Sequence, residues 1–548
     1  MADAEAEGWN SARVREHIKS HKLSPEAFAA VIASPDAEDS PQDDASTVQI
    51  RDGELARLVD ACEVILARPA LPIADKVFQR GGQMVRVAVL PAADFSEGVA
   101  RPQGAAVIMP VATAFLQPVL SRHGKFQRFD KREKSWRAVD PPRGVSDAIL
   151  ARSGQWPFPA LRGVVCCPTV RADGTLLLEP GYDPASGYYL AHDLKVAVSD
   201  KPSLNDAAKA LESLTALLAG FSFVSPVDRS VGLALILTAV ARPALDYVPL
   251  FSTSSPVRGS GKSTLLDVAA VIATGRRSAV LSVSADRDEL EKRLVGCLLA
   301  GDALVNLDNV NGTLRSDLLC QGITAETLKV RPLGSSVQSE IPNSALWAAN
   351  GNNLVLAGDL TRRALLIRLD PQMERPEERV FSFDPVARAL EHRSGYVNAA
   401  LTIVRGYVAA GRPDMQLTPF GSFERWSSLV RSALVWAGAE DPFESRTGIM
   451  DDDPEAAQLR TLLAAWNTRF GRTPRTVKEI IRAASEDDSP LEEPLEEIAG
   501  ERGDINSKRL GRWLLRQAGR ISGGLKLIKA TTITDGSANW KVIPEGEA

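Results

Sequence analysis

The chain is poor in cysteine, with five in 548 residues, at Cys62, Cys166, Cys167, Cys297 and Cys320. None forms a C-x-x-C pair, which argues against a zinc site and a disulfide framework and fits a reducing compartment. Cys166 and Cys167 lie in an apolar, strand-like run and read as buried thiols. Long apolar runs are also missing. The longest, residues 231–241, is too short to span a bilayer and stops at Arg242. There is no basic excess: the formal net charge is −5, so any contact with nucleic acid must come from local patches. The N-terminal stretch is acidic and has no secretory apolar segment. Together these absences predict a soluble, cytoplasmic protein with no membrane partner.

What is present is organised around Pro256-Val257-Arg258-Gly259-Ser260-Gly261-Lys262-Ser263-Thr264. An apolar run at 247–251 precedes it, and a helical pattern (Leu265, Leu266, Val268, Ala269, Val271, Ile272) follows. Strand, glycine loop and helix are the context of a phosphate-binding P-loop. Gly259 and Gly261 leave room for backbone N–H groups to approach phosphate oxygens, and the helix points its positive end at them. Lys262 would sit against the β- and γ-phosphates of ATP, and Ser263 would offer its hydroxyl to Mg²⁺. Pro256 stands where the usual pattern, G-x-x-x-x-G-K-[ST], has its first glycine.

Downstream, Asp302-Ala303-Leu304-Val305-Asn306-Leu307-Asp308-Asn309 reads as a buried strand ending in an acid. Asp308 would hold the Mg²⁺ water shell, and Asn309 occupies the place of a glutamate base in many ATPases. Residues 328–337 alternate basic and apolar side chains in a hairpin pattern, with Lys329 and Arg331 on it. Ser344-Ala345-Leu346-Trp347-Ala348-Ala349-Asn350 is an apolar strand ending in an amide. Asn350 is the preferred residue to orient an attacking water, with Asn352 and Asn353 as alternates; the same residues also suit a tight turn. Asp359-Leu360-Thr361-Arg362-Arg363 precedes a further apolar strand. Arg362 and Arg363 suit an arginine finger given to a neighbouring subunit, or a salt-bridged turn.

In this order the motifs resemble the superfamily 3 helicases of the AAA+ class, and among them the phage and plasmid primase-helicases. Similar stretches include Asp288-Glu289-Leu290-Glu291-Lys292-Arg293, Asn350-Gly351-Asn352-Asn353-Leu354 and Gly358-Asp359-Leu360-Thr361-Arg362-Arg363. Upstream, Leu161-Arg162-Gly163-Val164-Val165 and Pro180-Gly181-Tyr182-Asp183 are similar too. The resemblance covers about residues 155–440. It implies a homo-oligomer, a hexameric ring that threads one DNA strand, with Lys329 and Arg331 on a pore hairpin that grips phosphates. It implies service in replication of a mobile element, beside a separate primase or polymerase. The alternative is an AAA+ ATPase that remodels a nucleoprotein partner without unwinding DNA.

The fold class expected is α/β: an AAA+ P-loop core, an N-terminal α/β domain and a C-terminal winged-helix-like domain. Residues 1–47 read as a helix (about 9–31) and an acidic linker. Residues 48–200 read as a mixed α/β domain, with a helix at 55–66, a Gly81-Gly82 hairpin and a helix stopped by Pro118. In it, Arg128, Lys131, Arg132, Lys134 and Arg137 interleave with Phe126, Phe129 and Trp136. That pattern suits either a single-strand contact surface or a solvated hairpin face. No paired-carboxylate or metal signature of a primase or polymerase occurs there. Residues 201–372 form the ATPase core with a preceding helical layer, 373–440 a helical lid, 441–455 an acidic linker, and 456–548 the winged-helix-like domain. In the last, Lys508, Arg512 and Arg516 recur every four residues beside Arg509. On a helix they would line one face for duplex DNA, or form a solvated helix face.

Overall fold

A computed structural model describes residues 47–547 apart from 96–97, 192–193, 284–285, 332–337, 380–381, 452–453, 502 and 535–536. The expected helix at 9–31, most of the acidic linker after it and the tip of the basic hairpin lie outside the described residues.

The centre is a sheet in the spatial order Ala364–Arg368, Leu250–Ser255, Leu346–Leu356, Leu304–Leu314, Ala279–Ser282 and Val99–Ala100. The first five strands are mutually parallel, and Val99–Ala100 pairs antiparallel at the edge. Parallel strands covered by helices on both faces must be apolar on both, and Leu250, Phe251, Ser252 and Thr253 are all buried. Two apolar clusters divide along the two faces. One joins Phe251, Ala348 and Leu365 to helices Pro226–Ala241, Lys262–Thr274 and Arg393–Ala409; the other joins Leu250, Val305 and Trp347 to helix Arg287–Ala300. Helix Pro226–Ala241 starts from a Ser225 cap with Pro226 in its first turn and is buried almost all round.

Residues 48–200 are tied to this sheet rather than walled off from it. They donate the edge strand, and Arg101 grips the buried Asp302 carboxylate, Nε to Oδ1 at 2.9 Å and Nη2 to Oδ2 at 2.7 Å. Buried Arg80 donates to the last carbonyls of helix Arg287–Ala300, Leu298 O at 2.9 Å and Leu299 O at 3.2 Å, and to Pro342 O at 3.1 Å.

Three expectations change. The helix at Thr113–His123 runs through Pro118 instead of stopping there. Burial of Leu116, Val119 and Leu120 offsets the missing N–H. Much of the expected linker at 441–455 is helical, with turns at Pro442–Ser445 and Arg446–Asp451, because Ile449 packs into the core under the sheet. The charged stretch 486–501, whose composition reads as a loop, contains the helix Glu492–Ala499, which buries Pro494, Leu495 and Ile498 on one side.

The C-terminal unit runs helix Pro454–Phe470, short strand Arg475–Thr476, helices Val477–Ala484, Glu492–Ala499 and Ser507–Gln517, then the ribbon Leu525–Thr534 and Ser537–Pro544. Arg475–Thr476 pairs with the last strand, so the sheet order is first, last, middle, with Ile521–Ser522 at the far edge. Trp466, Trp513 and Trp540 are all in its core.

Candidate active site

The loop after strand Leu250–Ser255 turns through Gly259 and Gly261, both in the left-handed region with φ of 73° and 91°. Gly261 is also the residue from which helix Lys262–Thr274 starts. A side chain at either position would be strained, so this backbone depends on glycine. In parallel sheets, ligands bind beyond the carboxyl ends of the strands, and the loop lies there.

Four residues that the motifs singled out meet at that edge. Lys262 Nζ donates to Asn352 Oδ1 at 2.8 Å, Val257 O at 3.0 Å and Ser260 Oγ at 3.1 Å. Burial pushes its ammonium below the usual lysine range, and Asp308 opposes that shift. Ser263 Oγ donates to Asp308 Oδ1 at 3.0 Å. Asn350 Nδ2 donates at 2.8 Å both to that carboxylate oxygen and to Asn306 Oδ1. Thus the loop serine, the strand acid and the neighbouring strand's amide share one carboxylate.

Asp308 and Asn350 do not end their strands. Both strands run on to Leu314 and Leu356, and the register slips between Leu307 and Val310. Asn309 lies in that slip with φ of 54°, exposed, in a conformation asparagine tolerates better than most residues. Its backbone N–H approaches Asn350 Oδ1 at 3.4 Å. Asn353 is also left-handed, at φ 47°. Its place is a turn-like kink, while Asn352 faces the lysine.

A cleft of about 770 Å³ opens over these groups, lined by Arg258 to Thr264, Asp308, Asn309, Asn350 and Asn352. Pro256 is exposed at the start of the loop and does not line it. The cleft has walls that no motif announced: Phe221, Arg277, and Phe383, Asp384, Pro385 and Val386 where helix Pro385–Glu391 begins. Only apolar spacing could have signalled them, and that spacing marks core as readily as cleft. The volume suits a nucleotide, and the apolar walls suit a base. Hydroxyl and carboxylate oxygens, Ser263 and Asp308, fit Mg²⁺, which takes few protein ligands and keeps waters and phosphates. Among the described residues no group of three or more His, Cys, Asp or Glu could hold a metal by itself.

Arg362 and Arg363 lie elsewhere. They precede strand Ala364–Arg368, and Arg363 O accepts from Leu250 N at 3.0 Å at the start of the strand that leads into the glycine loop. Both therefore sit at the amino edge of the sheet, opposite the cleft. Arg362 is 59% exposed and pairs with Asp359 at 3.1 Å. Arg363 is largely buried: it donates to Cys320 O at 3.0 Å and pairs with Asp359 at 3.3 Å.

Lys329 and Arg331 also lie apart from the cleft. Strands Thr327–Val330 and Ser339–Pro342 form an antiparallel hairpin, with Leu328 and Val330 buried and Lys329 and Arg331 exposed. On helix Ser507–Gln517 the basic side chains face outward, together with Leu515, which is 62% exposed. Leu510, Trp513, Leu514 and Gln517 are buried, while Lys508, Arg509, Arg512 and Arg516 are exposed.

Comparison with known proteins adds a distant likeness only. No family model matches the chain, and no curated protein matches it. Among solved structures, the NrS-1 C-terminal region in its apo A form is similar at 12% identity and a TM-score of 0.35, covering 78% of this chain and 98% of that one. A second structure of that region, residues 305–718, gives 12% and 0.35 over 84% and 96%. The SCCmec type IV Cch active helicase gives 12% and 0.32 over 85% and 97%. No helix among the described residues is long and apolar enough to cross a membrane.

Proposed function

We infer that this protein is an ATP-driven DNA helicase or translocase of the AAA+ superfamily 3 kind. The observation that carries the reading is the convergence of Lys262, Ser263, Asp308 and Asn350 on one cleft at the carboxyl edge of a parallel sheet.

In that reading the loop N–H groups and Lys262 hold the β- and γ-phosphates of ATP. Ser263 and Asp308 supply oxygen ligands. Mg²⁺, when bound, offsets the charge on the transferring phosphoryl group. Asn350 fixes the Asp308 carboxylate through one amide hydrogen and keeps its carbonyl toward Asn309. It thereby sets the position from which a water is aligned. Asn309 carries a neutral amide, so it is not itself the base that takes a proton from this water.

Arg362 sits at the amino edge, too far along the strands to serve its own cleft, which supports service to a neighbour's ATP. That arrangement calls for a closed ring, and a hexamer is the form proposed. Lys329 and Arg331 then project from the hairpin toward a strand in the pore. The C-terminal unit, read as a winged helix, presents Lys508, Arg509, Arg512 and Arg516 to duplex DNA. A primase or polymerase would act as a separate partner in replication of a mobile element.

The test is a strand-displacement assay beside an ATPase assay on the full chain. The reading expects DNA-stimulated turnover with unwinding, both abolished in Lys262→Ala. Turnover without unwinding or movement would favour an ATPase that remodels a nucleoprotein instead.

A further inference from the structure

A further surface lies outside the cleft, the basic hairpin and the C-terminal helix. It is the outer face of the three-stranded sheet formed by Thr47–Ile50, Lys125–Asp130 and Ser135–Ala138. The inner face is filled: Val48, Ile50 and Phe126 pack into a core with helices Leu55–Leu66, Thr113–His123 and Arg143–Ala151. Side chains alternate along a strand. Burial of Val48, Ile50 and Phe126 therefore turns Gln49, Lys125, Gln127 and Phe129 the other way. Trp136 is the cross-strand partner of Phe129, so it lies on the same outer face.

The two rings lie edge to face, with centroids 5.5 Å apart and planes at 68°. They are 44% and 37% exposed. Leaving two large aromatics in water forgoes burial worth roughly 25 cal/mol per Å², so an open aromatic pair marks a contact surface. The surrounding charge is net positive. Residues 125–137 hold six basic side chains against Asp130 and Glu133, in a chain whose net charge is −5. Both acids engage Arg137, and Asp130 also accepts from the backbone N–H of Arg132 at 2.8 Å, so they serve to build the turn. Lys131, Arg132 and Lys134 are exposed on that turn.

We propose that this face binds single-stranded DNA, with bases stacked on Phe129 and Trp136 and phosphates held by Lys125, Lys131 and Arg132. A duplex hides the faces of its bases, whereas a single strand offers them to aromatic rings and its phosphates to the basic rim. The face would hold a strand outside the ring. The choice of DNA rests on the helicase reading; the binding itself does not.

The experiment is fluorescence anisotropy of a dye-labelled oligo(dT) strand with the full chain and no nucleotide. Phe129→Ala/Trp136→Ala should weaken binding by about tenfold or more, given the usual value of stacking per base. Lys131→Glu/Arg132→Glu should weaken it and lower the slope of log affinity against log salt by roughly 0.7 for each phosphate no longer neutralised. Both variants alter exposed side chains, and both should keep the basal ATPase. Unchanged oligo(dT) affinity in both variants overturns the proposal. Tighter binding of oligo(U) than of oligo(dT) overturns the choice of DNA. A wild-type chain that turns over no ATP yet binds oligo(dT) through these rings would sink the helicase reading and leave this surface standing.

Discussion

Asn350 Nδ2 lies 2.8 Å from Asp308 Oδ1, across two neighbouring parallel strands whose residues are 42 apart in the chain. The same carboxylate oxygen accepts from Ser263 at 3.0 Å. The acid is thus held from two sides, the kind of preorganisation that the proposed ATPase chemistry would use.

Replacing Asn350 with Ala should leave Asn306 and Asp308 without their shared donor. We expect kcat to fall by about 10²-fold, as for removal of one positioned donor, with nucleotide affinity changed much less. Steady-state ATPase and binding of a fluorescent ATP analogue check this. Equal declines in both would show that Asn350 holds the ground state.

Lys262 carries its charge where burial disfavours it. Its folded-state value is below the unfolded one, so the charged lysine opposes folding and the cost fades as pH rises through the folded value. Lys262→Met removes that cost. The nucleotide-free variant should melt no lower than wild type while losing the MgATP-induced rise in Tm. A lower Tm without ligand would mean that its hydrogen bonds to Val257, Ser260 and Asn352 outweigh desolvation.

The two arginines of the Asp359 turn should separate. Arg363 is packed and bonded to Cys320 O, so Arg363→Ala should cost roughly 1–3 kcal/mol in stability. Arg362→Ala, at an exposed site, should leave urea unfolding unchanged and abolish turnover. Mixing Arg362→Ala with Lys262→Ala subunits should restore part of it, because a Lys262→Ala subunit keeps Arg362 and can complete the intact cleft of an Arg362→Ala neighbour. No rescue at any ratio would remove the trans assignment.

Arg101 and Asp302 tie residues 48–200 to the sheet through a buried pair. Arg101→Ala strands a buried carboxylate and should destabilise by about 3–5 kcal/mol. The double variant Arg101→Leu/Asp302→Leu should recover most of that. Urea midpoints of the three proteins decide it.

On helix Ser507–Gln517, the triple variant Lys508→Ala/Arg512→Ala/Arg516→Ala should weaken duplex binding. The salt slope should drop by roughly 0.9 for each phosphate left unpaired, with no change in Tm. A variant with wild-type affinity and slope would leave these residues as a solvated helix face.

Local chemistry explains what was readable in the chain. The glycines at 259 and 261, the Lys262-Ser263 pair and the acid at 308 each need particular neighbours within a few residues, so their pattern survives in one dimension. The helix at Leu55–Leu66 and the turn at Gly81-Gly82 were legible for the same reason. Pro118 was misleading, because the apolar side chains around it are buried deeply enough to carry the helix past a missing N–H. Polar residues at 308 and 350 read as strand ends, yet both strands run on, because the register slip between them lets the pairing continue beyond the edge.

Order along the chain is a property of the sequence alone: a glycine loop follows a buried strand, and an acid, an amide and an arginine pair come after it. The placing of the amide strand between the loop strand and the acid strand, which puts Asn350 on Asp308, belongs to the tertiary fold. It also sets the arginine pair at the edge of the sheet opposite the cleft and brings Phe221 and Phe383 to the cleft wall. The reason is that strand order and edge are set by how helices cover the sheet, through packing between residues far apart in the chain, and no local pattern encodes them.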